Sequence, residues 1–212
     1  MKKKNIFFTF FGLILVNLTF AQTADSWPIF RGNQQLTGIS KTELPDQPKL
    51  LWTFQTGDNI KSAPVVDQGK VVIGSTDGVV YCLDTNGKLL WKFETSNAIE
   101  APALIHNGTV FIGNLDGNLY ALDLNTGAKK WEYETDNQII GSPNWWEAGS
   151  STYILVGSYD YYLHCVDAQS GEVKWKYESD NFINGAPACS GGKTFFGGCD
   201  GFLHVVDIVT GK

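Results

Sequence analysis

Helix-period segments are missing from the 212-residue sequence, cysteine is scarce at four residues, and there is a single methionine. Four cysteines in a chain that is 43% hydrophobic are too few for a disulfide framework and unnecessary for one. No CxxC, HExxH, glycine-rich phosphate loop or Ser-His-Asp set occurs, so the usual sequence marks of zinc, nucleotide and triad chemistry are absent. With 18% charged and 13% aromatic residues, the composition also excludes disorder, collagen and coiled coil. No apolar run reaches the roughly 20 residues that span a bilayer. The longest, from Ile6 to Phe20, follows Lys2, Lys3 and Lys4 and ends at Thr19-Phe20-Ala21, the pattern of a secretory signal peptide over residues 1–21. No cysteine follows that cleavage position, so neither a lipid anchor nor a direct membrane span is expected, and the protein is exported, periplasmic or extracellular. Losing the three lysines with the leader takes the formal charge from −6 to −9, which repels nucleic acid and anionic membrane surfaces.

What the sequence does contain is a repeat. Trp52, Trp91, Trp131 and Trp175 stand 39, 40 and 44 residues apart, and each opens a short alternating run: WTFQT, WKFET, WEYET and WKYES. Alternation of aromatic with polar residues is the period of half-buried strands. After each run comes a small-Pro pair (Ala63-Pro64, Ala101-Pro102, Ser142-Pro143, Ala186-Pro187), then a strand closed by Asp77-Gly78, Asp116-Gly117, Asp160-Tyr161 or Asp200-Gly201, then VVYCLD, NLYALD, YLHCVD or FLHVVD. Asp-Gly between apolar runs is a strong hairpin signal. Four antiparallel strands per unit of about 40 residues predict an all-β chain of β-propeller blades. A lead-in covers residues 22–49 and the repeats 50–212. An insertion near Asn144 to Ser151 lengthens one hairpin and is expected to be an exposed loop. Trp52 opens an outermost strand with no upstream partners, whereas the last unit supplies three strands. About four blades are therefore present, with complementary ends, as in part of a longer ring.

Between the third and fourth strands the chain reads ALDLNTGAKKW, from Ala121 through Asp123 and Gly127 to Trp131. CVDAQSGEVKW, with Asp167, Gly171 and Trp175, keeps the spacing, and CLDTNGKLLW, with Asp84, Gly87 and Trp91, is one residue shorter. Glycine accepts a left-handed turn, aspartate caps turn amides, and indole supplies a flat surface to stack between blades. The small residues Cys82, Ala121 and Cys165 leave room for the ring. The pattern matches AxDxxTGxxxW and resembles the docking motif of the PQQ-like, quinoprotein-type β-propeller repeat family over residues 50–212. The segment WPIFRGN from Trp27 resembles the lead-in of that family's exported members. Propellers of this type resemble seven- or eight-bladed rings, and two half-propellers could self-associate into one.

The resemblance implies a non-enzymatic scaffold that presents loops and blade edges to an outer-membrane or cell-surface protein partner, as in exported members that serve outer-membrane protein assembly, with no cofactor. Such factors are usually lipoproteins, and this chain has no lipobox cysteine. Two alternatives come with the resemblance. One is a PQQ-dependent quinoprotein dehydrogenase, whose pyrroloquinoline quinone and calcium sit in the central channel and which usually has adjacent cysteines that are absent here. The other is an accessory propeller of a larger cell-surface enzyme.

The loops before the first strands align on a shared Ile and place Lys61, Glu100, Ile140 and Asn184 at one equivalent position. Lys61, Glu100 and Asn184 are candidate ligand-binding residues on channel-facing loops, because such loops on a rigid scaffold carry function; the plainer reading is solvated polar side chains. Asp58, Asn97, Asp136 and Asp180 read as turn residues. His164 and His204 occupy the position of Tyr81 and Tyr120, so packing explains them better than a metal. Asp123-Leu124-Asn125-Thr126-Gly127 lacks the distal glutamate of a calcium loop. No metal site is expected. Cys82, Cys165, Cys189 and Cys199 are expected to be buried thiols.

Overall fold

The computed structural model describes residues 26–212, so the leader at 1–21 lies outside the described residues. These residues form fifteen strands in four antiparallel sheets and no helix. The first sheet contains β1 (Val65–Asp67), β2 (Lys70–Gly74), β3 (Val79–Asp84) and β4 (Leu89–Glu94). The second contains β5 (Leu104–His106), β6 (Thr109–Gly113), β7 (Asn118–Asp123) and β8 (Lys129–Glu134). The third contains β9 (Asn144–Ala148), β10 (Ser151–Gly157), β11 (Tyr162–Asp167) and β12 (Val173–Glu178). The fourth has three strands, β13 (Ala188–Ser190), β14 (Lys193–Gly197) and β15 (Leu203–Asp207). Strands neighbour one another in chain order throughout, the meander of a propeller blade.

Alternation decides which side chains go where, because consecutive residues of a strand face opposite sides of its sheet. Val72, Val80 and Cys82 of the first sheet meet Ile105, Val110 and Ile112 of the second in one core. Phe111, Leu119 and Ala121 of the second meet Ile154, Val156 and Val166 of the third. Leu155 and Leu163 meet Phe196, Val206 and Ile208 of the fourth. Both faces of the second and third sheets are thereby covered. On β15, Leu203 and Val205 stand where Val80 and Cys82 are fully buried in β3, yet they are 74% and 47% exposed. The trailing face of the fourth sheet is open among the described residues.

The N-terminal segment ties the sheets together. The Trp27 amide donates to the Val66 carbonyl at 2.7 Å and the Val66 amide returns the bond at 2.9 Å. Ile105 N–H donates to Pro28 O at 2.7 Å, and Cys189 N–H to Gln34 O at 2.8 Å. Gln34 Nε2 donates to Trp145 O at 2.7 Å, and Asn144 Nδ2 donates to Gln34 O at 2.8 Å. Residues 27–34 thus cross β1, β5, β9 and β13, the first strand of every sheet, with Ile29 buried in the second core.

Three expectations need correction. WTFQT from Trp52 is not a strand: among the described residues no third strand lies beside it to complete a ladder, and an isolated extended segment has nothing to hold it as sheet. The insertion near Asn144 is not an exposed loop. It extends β9 and β10 into a longer ladder, with Asn144 buried and Trp145 stacked 3.9 Å from His106; the two indoles pack on opposite faces, Trp145 against the second core and Trp146 against the third, so each is covered rather than left in solvent. Cys82, Cys165 and Cys189 are buried free thiols, but Cys199 is exposed in the turn of the open fourth sheet. Burial pushes the thiols of Cys82, Cys165 and Cys189 up to about 11, 12 and 12, which keeps them protonated and unreactive. Iodoacetamide is expected to label Cys199 in the native protein and the other three after unfolding; mass spectrometry showing two labels in native buffer would contradict this.

Candidate functional site

The docking turns form the outer frame. Trp52, Trp91, Trp131 and Trp175 each donate Nε1–H at 2.9 Å to a carbonyl in the turn of the following sheet, those of Thr85, Leu124, Ala168 and Ile208. Cys82, Ala121 and Cys165 are the cross-strand partners of Trp91, Trp131 and Trp175, and a ladder irregularity follows each of them. In each receiving turn the aspartate Oδ1 accepts backbone amides: Asp84 from Asn86, Asp123 from Asn125 and Thr126, Asp167 from Gln169 and Ser170. Burial pushes the carboxyls of Asp123 and Asp167 up, and these hydrogen bonds and the adjacent lysines more than offset it, so both end below the usual range. Gly87, Gly127 and Gly171 take φ of 81°, 73° and 76°, directly beneath the indoles of Trp52, Trp91 and Trp131. Ala121, Asp123, Gly127 and their equivalents are therefore blade joints.

The same joint carries a coordinated substitution. Two residues past each docking Trp an aromatic meets the third strand of the next sheet: Phe54 with Tyr81, Phe93 with Tyr120, Tyr133 with His164 and Tyr177 with His204. Where the strand residue changes from Tyr to His, its partner changes from Phe to Tyr, so each pair keeps one hydroxyl. The Tyr133 hydroxyl donates to His164 Nδ1 at 2.9 Å, and His164 Nε2–H donates to Asp160 Oδ2 at 2.9 Å. Tyr177, His204 and Asp200 repeat the chain at 3.2 and 2.7 Å. His164 is fully buried, and every ring nitrogen has a partner in its own joint, as buried polar groups require. Among the described residues no three His, Cys, Asp or Glu side chains converge as metal ligands.

The linker loops and the turns between second and third strands share one end of the sheets. Ile99, Ile139 and Ile183 amides donate to Ser75, Asn114 and Ser158 carbonyls, while Leu115, Tyr159 and Cys199 amides donate to Ala98, Gln138 and Phe182 carbonyls. Those three isoleucines are fully buried against Gly74, Gly113 and Gly157, where a Cβ would fall 2.1 to 2.3 Å from their side chains. Lys61 and Glu100, from adjacent linkers, are ion-paired at 2.6 Å. Ile140 brings no polar group, and Asn184 Nδ2 lies 3.6 Å from Cys199 Sγ. Lys61 and Glu100 come together; Asn184 stays apart from them. Each linker carries one acid, Asp58, Glu100, Asp136 or Asp180, and each turn one aspartate, against the single cation Lys61. The opposite end carries both signs, with Lys88 in a turn and Lys70, Lys129 and Lys193 opening strands beside the turn aspartates.

Sequence reasoning missed an aromatic group here. Tyr159 and Phe182 stack with centroids 4.6 Å apart, and Tyr161 meets Phe182 edge-on at 5.2 Å. The available signal was Tyr161 itself, which replaces the glycine of the other three turns and takes φ of 77°. A pyrroloquinoline quinone with calcium needs several oxygens converging on the cation. Glu100 is held by Lys61 and no three acids converge among the described residues, so the linker carboxylates do not supply that set.

Residues 45–145 match the family model described as outer membrane protein assembly factor BamB. Together with the four-stranded sheets and shared joints, this supports a PQQ-like β-propeller family, which the chain resembles over nearly half its length. A second family model, described as a lambda-carrageenase β-propeller domain, matches residues 106–190 of the propeller. BamB from Moraxella catarrhalis is 27% identical, with a TM-score of 0.67 over 76% of this chain and 51% of that one. A quinohemoprotein alcohol dehydrogenase from Comamonas testosteroni superposes with a TM-score of 0.72 at 19% identity, over 91% of this propeller and 40% of the enzyme. The computationally designed Ika4 protein, 17% identical, gives 0.67 over 76% and 99%. The last two speak to the fold alone. The propeller spans about half the length of the BamB chain and two fifths of the dehydrogenase. No curated protein matches the sequence.

Proposed function

We propose that the protein is an exported, non-enzymatic propeller that works as a protein-interaction scaffold in outer-membrane protein assembly, in the periplasm or at the cell surface. One observation carries the reading. At the aligned inner-loop position the one acid, Glu100, is ion-paired with Lys61, and the other two linkers bring Ile140 and Asn184 there, so no second carboxylate joins it at that position. The match to the assembly-factor family model and the 27% identity to a solved BamB support the same reading. Among the described residues no helix is long and apolar enough to cross a membrane.

The quinoprotein alternative draws on the dehydrogenase fold match, and one pair of experiments separates the two. Protein purified from the periplasmic fraction is titrated with pyrroloquinoline quinone and calcium while dye reduction is followed, and tagged protein is used to co-purify outer-membrane proteins from detergent extracts. Co-purified outer-membrane β-barrel proteins with no dye reduction are expected. Saturable quinone binding with dye reduction would replace the scaffold reading by the enzyme.

A further inference from the structure

A tyrosine in the left-handed region is uncommon and less favourable there than glycine. The other three turns avoid that cost with Gly78, Gly117 and Gly201, at φ of 80°, 89° and 82°. In the third sheet the position is Tyr161, 42% exposed, with its ring against Phe182. Tyr159 covers Phe182 with near-parallel planes, 23° apart. The group is fixed to its surroundings: Tyr159 N–H donates to Gln138 O at 2.9 Å, Cys199 N–H to Phe182 O at 2.9 Å, and Ser179 N–H to Tyr161 O at 2.9 Å. Its rings are therefore presented on rigid backbone.

Charge selects what such rings would receive. Asp136 and Asp180, both exposed, open the linkers on either side of the group, on the end of the molecule where Lys61 is the single cation of the loops and turns and is already paired with Glu100. Aromatic faces attract cations through the ring quadrupole, and arginine best combines stacking on a ring with a bond to a carboxylate. We propose that Tyr159, Tyr161 and Phe182, flanked by Asp136 and Asp180, form a docking platform for an arginine-bearing segment of a protein partner. The proposal rests on the scaffold reading and names the face and the partner chemistry that this reading leaves open.

The test measures binding of a synthetic peptide of alternating arginine and glycine to the full chain by calorimetry, beside a peptide with glutamate in place of arginine. Tyr161→Gly removes the ring and restores the residue that suits the turn, so its melting temperature should stay level or rise while affinity falls about tenfold, the size of one cation-aromatic contact. Asp136→Asn with Asp180→Asn should cause a similar loss without affecting the fold. Preference for the arginine peptide with both losses supports the platform. Equal binding by wild type and Tyr161→Gly, or equal binding of both peptides, overturns it. Platform binding without co-purified outer-membrane proteins supports the platform and separates its outcome from that of the assembly role.

Discussion

Replacing Gly127 by alanine is expected to lower stability by about 3 kcal/mol, combining the left-handed backbone penalty with overpacking against a buried ring. Gly127 has φ of 73°, and a Cβ there would fall 2.7 Å from the Trp91 indole. That ring cannot retreat easily, because Trp91 is 8% exposed and its Nε1–H is committed to Leu124 O at 2.9 Å. Gly108 supplies the control, having φ of 68° with nothing within 4 Å of an added Cβ. Gly108→Ala should cost about 1 kcal/mol from the backbone alone. For a chain of this size a loss of 3 kcal/mol corresponds to a drop in melting temperature of roughly 6–12 °C. Urea midpoints for the two variants check the difference, and equal losses would mean that the indole contact adds nothing to the joint.

Stability should also fall between pH 6.5 and pH 4 because of His106. Burial pushes its imidazole down to about 4, partly offset by the charge of Asp67. The unfolded chain takes up that proton near pH 6.5, so the folded state loses stability as pH drops through this window and recovers it fully above 6.5. Discounted for the ring's partial exposure, the change is about 2 kcal/mol. His106→Phe keeps an aromatic against Trp145 while removing the titration, so its urea midpoint should change less than the wild type's between pH 7.5 and 4.5. Parallel curves for the two proteins would assign the pH dependence to other groups. The carboxyls of Asp77 and Asp160 are held below the usual range, burial being outweighed by hydrogen bonds from Tyr81 and His164 respectively. Their stabilisation is present above the unfolded carboxylate range and is lost below it, as pH falls through their folded values.

The blades were legible because their determinants are local. Trp91, Trp131 and Trp175 mark fourth strands, and the aspartate turns sit a few residues from the strands they join. Trp52 carries the same mark, yet its run is not a strand, because a ladder requires a neighbour that no local pattern guarantees. Its indole still seats over Gly87 and bonds Thr85, so the joint depends on the turn rather than on the ladder. Gln34 could not be foreseen: a polar residue in a lead-in gives no local sign that it will meet Asn144 and Cys189. The change from WTF and WKF to WEY and WKY was visible, and only its pairing with His164 and His204 explains it. Aligning the linkers on their isoleucines put Lys61 and Glu100 in one position, but the ion pair required knowing that adjacent linkers come within reach.

Blades stacked in chain order make mostly neighbouring contacts, which by themselves would favour assembly one unit at a time. The bonds of Gln34 run against that order, because its carbonyl is met only after a further hundred and more residues have arrived. Contacts of such wide separation raise contact order and slow the final step. A nascent chain can complete its early sheets, but the thread closes only when the fourth is in place, so loss of the last sheet should loosen the first.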